Sequence, residues 1–376
     1  MSDSIARAPV APAAGRQRVL LVGQAVYDSV CDSYRRALSP FYDVEVLDPF
    51  DVLGPAGRKL GHVWRTRVAE AAKIISRVVA REPLAMSEGR LLKKAAEFSP
   101  DLVLVTPIGD LRPHVVAGLR GGNRSCKVFG VFSDHIANFG RGYFFASDYD
   151  MLFFKDRYIV DKFRAKLGWT HVRYLPQACD RQLHDTVELT AEDRERYGCD
   201  LALAGNPYLF RNESLRPLVG RDMKIWGPPP PSWVTHPATR HFTGRYVSGP
   251  EKCKAMLATR IVLNQNHYGE IAGTNKRTFE VAAIGAFQLT DTPAIRDVFD
   301  PDTEVAYFET QAEMLERIDY FLAQPEKRAA MAAKSRLRAH AEHTYEHRWA
   351  AHLAALGLRP PAAFPVQPEA LAVRAE

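Results

Sequence analysis

Cysteine is scarce and shows no pattern: Cys31, Cys126, Cys179, Cys199 and Cys253 are scattered through 376 positions. With no C-x-x-C and no Cys/His pair at ligand spacing, a zinc module is excluded and a disulfide framework has no footing. Free thiols in a reducing cytoplasm are the expectation. Long hydrophobic runs are also missing, because no stretch reaches the roughly 18 apolar residues a membrane span needs. The opening MSDSIARAPVAPAAGR lacks the apolar centre of a secretory signal and is expected to be a disordered tail. Two glycine patterns are absent too. The loops LVGQAVYDSV and LAGNPYLFRN carry one glycine each, so neither the G-x-G-x-x-G dinucleotide fingerprint nor the P-loop is present, and hydride transfer and Walker-type phosphoryl transfer lose ground. Nucleic acid is the weakest of the anionic partners that a net charge of +6 favours. The basic residues are spread along the chain, with no helix-turn-helix, RNP-like or zinc-finger pattern.

What remains is a globular composition, 46% hydrophobic and 25% charged, in a chain long enough for two cores. Short apolar runs alternate with helical patterns: RVLLVG, DVEVLDP, DLVLVTP, KVFGVFSDH, DMLFFKD and VRYLPQACD in the first half. DLALAGN, MKIWG, RIVLNQN, AFQLTD and EVAYF occupy the second. Continuous apolar strands separated by helices imply parallel sheets covered on both faces. The fold class is therefore α/β, with two Rossmann-like domains, the first over residues 17–185 and the second over 199–340. The polar stretch from Leu183 to Gly198 contains nothing that demands burial and reads as the interdomain linker. Residues 56–82 and 86–98 read as helices, residues 341–358 as a last helix crossing back to the first domain, and residues 1–16 and 359–376 as tails.

In open parallel sheets ligands bind beyond the carboxyl ends of the strands. The segment GEIAGTNKRTFEVAAIGAFQLTD, residues 269–291, supplies backbone freedom at Gly269 and Gly273, then Thr274, Asn275, Lys276 and Arg277 as donors at a helix start. Free N–H groups and the helix dipole favour an anion there, a diphosphate above all. Glu280, one turn inside, can accept from a ribose diol. The plain alternative is a solvated Arg277–Glu280 pair on one helix face. His343, Glu346 and His347 share helical spacing, but their order is not that of a zincin, and the HTYEHRW stretch reads as a packing helix.

These residues resemble the CgeB-like, spore-maturation-type glycosyltransferases, relatives of the family 4 GT-B enzymes. The likeness rests on IVLNQN (261–266), NKRTFEVAAIGAFQLTD (275–291), PDTEVAYF (301–308) and HTYEHRW (343–349), with looser similarity at VFGVFSDH and RYLPQACD. It implies a GT-B fold with a nucleotide-sugar in the second domain and the acceptor between the domains. By matching positions, Glu280 would hold the ribose and Lys276 and Arg277 the diphosphate. Arg211 stands where related enzymes place another phosphate-facing cation. One departure is Ala272, which stands where family 4 enzymes commonly carry a glutamate eight positions before the ribose-binding one; Glu270 is nearby but out of register. Asp134 and His135 are candidates for the general base an inverting route would need.

The expected activity is transfer of a hexose-type unit from a nucleoside diphosphate sugar, UDP favoured as the commonest carrier, to a glycan, lipid-linked or protein acceptor. No metal is required. The location is expected to be cytoplasmic, with peripheral contact at the inner face of the membrane open to the basic first half. A nucleotide-sugar epimerase or phosphorylase on the same fold, or a non-catalytic sugar-nucleotide-binding protein, are the rival readings.

Overall fold

The computed structural model describes residues 15–24, 26–49, 87–106, 111–135, 138, 142–206, 209–231, 233–353 and 356–358. The helix expected over residues 56–82 lies outside them, as do residues 1–14 and 359–376 of the expected tails.

The first half alternates strand and helix: β1 (Arg18–Val22), α1 (Val30–Leu38), β2 (Asp43–Leu47), α2 (Glu88–Phe98), β3 (Leu102–Val105), α3 (Pro113–Gly118), β4 (Lys127–Phe132), β5 (Met151–Phe154), α4 (Arg157–Leu167) and β6 (Val172–Tyr174). The strands form one six-stranded sheet in the order β2-β1-β3-β4-β5-β6, every pair parallel. β3 reads LVLV and is buried along its whole length, as a strand covered on both faces must be. One face packs Leu20, Val103, Val128 and Phe154 beneath α2 and α3, and the other packs Val19, Leu104, Phe129 and Phe153.

The second half contains α5 (Ala191–Tyr197), β7 (Cys199–Ala204), α6 (Leu209–Ser214), β8 (Met223–Trp226), α7 (Gly249–Leu257), β9 (Thr259–Asn264), α8 (Lys276–Ile284), β10 (Gln288–Thr290), β11 (Ala306–Tyr307), α9 (Gln311–Leu322), α10 (Pro325–Glu342) and α11 (Tyr345–Ala350). Its five-stranded sheet is also parallel, ordered β11-β10-β9-β7-β8. In each sheet the first strand lies between its second and third in chain order, which creates a crevice at the carboxyl ends between β1 and β3 and again between β7 and β9.

One expectation needs correction. The Leu183–Gly198 stretch is no bare linker: Thr190 and Asp193 form a reciprocal capping box that starts α5, and Tyr197 is buried beside Met256 and Trp226. His184 within it is fully buried.

The last helix, α11, packs on the first sheet. Tyr34 of α1 lies edge-on to both Tyr345 and Trp349, with ring centres 5.2 and 4.8 Å apart. Arg348 donates to the carbonyls of Pro176 and Gln177.

Candidate functional site

Asn275 caps α8 by accepting from the Thr278 N–H, and its own amide donates to Asn264 at 2.9 Å and Asn266 at 2.5 Å. Asn264 in turn donates to Thr278 and Gln288. This buried amide cluster fixes the start of α8 against the end of β9, and so fixes where Arg277 projects. The Arg277 guanidinium donates to the carbonyl of Ala204, the last residue of β7, and to the carbonyl of Gln265, just past β9, at 3.0 Å. Arg211 of α6 meets it there, donating to Asn206 O at 2.6 Å and to the same Gln265 O at 3.2 Å. Two guanidiniums therefore converge on the crevice between β7 and β9. Gly205 permits it: its φ is +139°, and a Cβ on it would lie 3.0 Å from one guanidinium nitrogen and 3.1 Å from the other.

Glu280 faces the first domain from the same helix and is 3% exposed. Its Oε1 lies 2.9 Å from Lys276 Nζ, 3.0 Å from Lys252 Nζ and 3.3 Å from His184 Nε2. Asp28, from the loop after β1, joins the same set at 3.0 Å from Lys276, 2.5 Å from Lys252 and 3.1 Å from His184. His184 Nδ1 accepts from the Asp180 N–H, so the ring proton sits on Nε2 and is donated to the carboxylates. Burial alone would raise both acids, but for Asp28 the His184 bond and the charges of Lys276 and Lys252 prevail and hold it below the ordinary carboxylate range. Against burial, the charges of Lys252 and Lys276, with His184 behind them, bring Glu280 down to about 2. Burial pulls Lys276 down, but Glu280 and Asp28 pull it further up, so the ammonium is kept.

A second contact between the domains lies along residues 267–273. Lys155, just past β5, pairs with Glu270 at 2.8 Å, both side chains almost wholly buried. Asp156 accepts from the N–H groups of Ile271 and Ala272. His135, past β4, stacks on His267 with ring centres 3.7 Å apart and planes 3° from parallel. Burial first, then the neighbouring His135 and Arg211, bring His267 down to about 4; burial also lowers His135. Among the described residues, Glu270 Oε2 and His135 Nδ1 are buried without a hydrogen-bond partner. Asp134 is half exposed beside them and accepts from Asn138 at 2.7 Å.

With this geometry in view, residues 211–354 match a family model described as glycosyl transferase-like. The second half thus resembles a glycosyl transferase-like domain over those residues. The spore protein CgeB of Bacillus subtilis (strain 168) is 24% identical over 185 residues, 45% of this chain and 56% of that protein. The chain thus spans about half the length of the curated relative it matches. A sucrose-phosphate synthase from Thermosynechococcus elongatus superposes with a TM-score of 0.60 at 12% identity, over 91% of this chain and 98% of the other. A glycosyltransferase from Rickettsia africae ESF-5 gives 0.57 at 11% identity over the same shares, 91% and 98%. HepE of Anabaena, solved in complex with UDP-glucose, gives 0.55 at 10% identity, over 86% of this chain and 94% of its own. At such identities these likenesses speak for the fold, which is GT-B.

The glycosyl transferase-like match takes in Arg211, Lys252, Glu270, Arg277 and Glu280, while Asp28, His135, Lys155 and His184 precede it. The structure brings Arg211 and Arg277 together, and Lys276 with Glu280, but the other donors at the helix start have different employment. Thr274 is fully buried, and the Asn275 side chain is spent in the amide cluster. Gly273, expected as flexible backbone, is pressed against the first domain: a Cβ there would lie 2.8 Å from Lys155 O. His343 and His347 are structural, the first bonded to Val298 O and the second to Thr344. Asp28, His184 and Glu280 place three potential ligand atoms within 4.8 Å of one another. The ammonium groups of Lys252 and Lys276 already neutralise those oxygens, so this donor set does not suit a divalent ion. Sequence reasoning missed Asp28, Lys252, Lys155, His184 and His267. Only the last two carried a signal, each being a solitary histidine in a loop, His267 just past the end of β9.

Proposed function

We propose that the chain is a glycosyltransferase that moves a sugar from a nucleoside diphosphate sugar, UDP favoured, to a glycan, lipid-linked or protein acceptor. The observation that carries this reading is the convergence of Arg211 and Arg277 on the β7/β9 crevice, one helical turn from a buried carboxylate flanked by Lys252 and Lys276. A diphosphate needs several fixed cations, and a ribose diol needs a carboxylate held ionised. Lys276, Arg277 and Glu280 come from α8, and Arg211 of α6 and Lys252 of α7 complete the set. HepE, of the same fold, was solved with UDP-glucose, which agrees with a UDP-linked donor.

In the transfer, the bond from the anomeric carbon to the diphosphate oxygen breaks with its electron pair leaving on the nucleotide, and the acceptor hydroxyl oxygen bonds to that carbon. Arg277, Arg211 and Lys276 would stabilise the charge that develops on the leaving group, with no metal step. The buried unsatisfied atoms Glu270 Oε2 and His135 Nδ1 would meet sugar hydroxyls. In an inverting course the acceptor proton would go to Asp134, which is reachable from solvent; in a retaining course it would go to the departing diphosphate oxygen, with Asp134 taking no part.

Thermal-shift titration against UDP-, GDP-, ADP- and dTDP-sugars tests the proposal, since a ligand that binds the native state raises its apparent stability. At least one should raise the midpoint, and Arg277→Ala or Glu280→Ala should abolish the rise. An undiminished rise in both variants would remove the donor site. Release of nucleoside diphosphate only when an acceptor is present then separates transferase from epimerase.

A further inference from the structure

The loop after β1 places the Asp28 carboxylate where an anionic ligand would be expected to sit. Oδ2 is met by Lys252 Nζ at 2.5 Å and by the N–H of Gly249, the first residue of α7, at 3.1 Å. Oδ1 is met by Lys276 Nζ at 3.0 Å and His184 Nε2 at 3.1 Å. A helix start, two ammonium groups and an imidazole N–H around one anion make a set of donors that phosphate also uses. Asp28 holds this position in the left-handed region, at φ 63°, a conformation that costs a non-glycine residue energy. Tyr27 beside it lies over Gly249, where a Cβ would fall 2.3 Å from the Tyr27 hydroxyl.

Charge within this cluster is evenly matched. Two carboxylates, Asp28 and Glu280, balance two ammonium groups, Lys252 and Lys276, so with Asp28 seated this cluster adds no net positive charge to that of Arg211 and Arg277. With Asp28 withdrawn it gains one. We propose that Asp28 is a built-in occupant of the phosphate pocket, an autoinhibitory contact made by the first domain, which the nucleotide must displace before the lysines can serve it. This rests on the reading of the second domain as a nucleotide-sugar site.

Calorimetric titration with UDP tests it. Asp28→Asn keeps the size and an acceptor oxygen for Gly249 but removes the charge, and should bind UDP about tenfold more tightly than the wild type, because less of the protein is held in a blocked state. In the wild type, hydrogen exchange of amides 26–30 should quicken when UDP is added, a readout that stands even if the variant fails to fold. Equal or weaker binding by Asp28→Asn, or slowed exchange in that loop, would make Asp28 a fixed strut and overturn the proposal while leaving the nucleotide site intact. Absence of binding by UDP, GDP, ADP and dTDP to either protein would overturn both.

Discussion

Arg277 and Glu280 stand three positions apart on α8 and turn to different partners, the first to the carbonyls of Ala204 and Gln265 and the second to Lys252, Lys276 and His184. The helix supplies the division: Lys276 and Glu280, four apart, share a face, and Arg277 points from the next. A planar fork with five N–H donors can bridge two carbonyls and still present a fixed pair of N–H groups to a phosphate, whereas an ammonium on a flexible stem has at most one donor left. Arg277→Lys should therefore weaken UDP binding by about tenfold although the charge is kept, the loss of one charge-assisted bond being worth about 1.5 kcal/mol or more. Calorimetry checks this, and wild-type affinity in the lysine variant would show that charge alone matters. Glu280 has a structural duty as well. Glu280→Gln leaves Lys252 and Lys276 with one carboxylate between them in a buried setting, and should lower stability by about 3 kcal/mol in urea unfolding.

At the scale of elements, strands were legible because both faces of each sheet are covered, so LVLV of β3 and the IVL of β9 read as unbroken apolar runs. The α8 start was legible from Asn275, Lys276 and Arg277 following Gly273. The role of Gly273 was not, since what it touches, Lys155 O and Asp156, is more than a hundred residues away in the chain. The same distance hid the partners of Glu280: Lys252, His184 and Asp28 come from three separate segments, and no local period links them. The α5 helix was passed over for a different reason. Its Thr190–Asp193 capping box was visible, but AEDRERY is all polar between Ala191 and Tyr197, and burial of Tyr197 depends on α7. Gly273→Ala should cost about 1–3 kcal/mol by forcing apart the docked loops. Gly220→Ala, where a Cβ meets nothing within 4 Å, should stay within about 0.5 kcal/mol of the wild type. Equal thermal midpoints in the two variants would refute the close approach.

Across the whole molecule the domains are joined by groups that titrate, so acid should loosen the protein in two legs. His267 is ordinarily a group of pKa 6.5 and is brought to about 4 by burial, His135 and Arg211, with Lys155 adding to the effect and Asp134 opposing it. Between those values the unfolded chain takes a proton that the folded one refuses, so this contribution is present above about pH 6.5 and is lost as the pH falls towards 4. His347 and His352, both also lowered to about 4, act in the same direction. The second leg belongs to the depressed carboxylates. Glu280 falls from 4.5 to about 2, so its contribution is present above about pH 4.5 and lost as the pH falls through 2, with Asp28 following the same sign. Asp291 and Glu45, both raised by burial, oppose the second leg, because they gain protons in the folded state first. The difference between the legs can be measured by urea unfolding at pH 7, 5, 4 and 3. His267→Gln should lose less stability than the wild type between pH 7 and 5 and again, by a smaller margin, between pH 5 and 4, and the two proteins should lose similar amounts only below about pH 4, where carboxylates dominate. If His267→Gln and the wild type lose the same stability from pH 7 to 5, the stacked pair between the domains does not control the acid response.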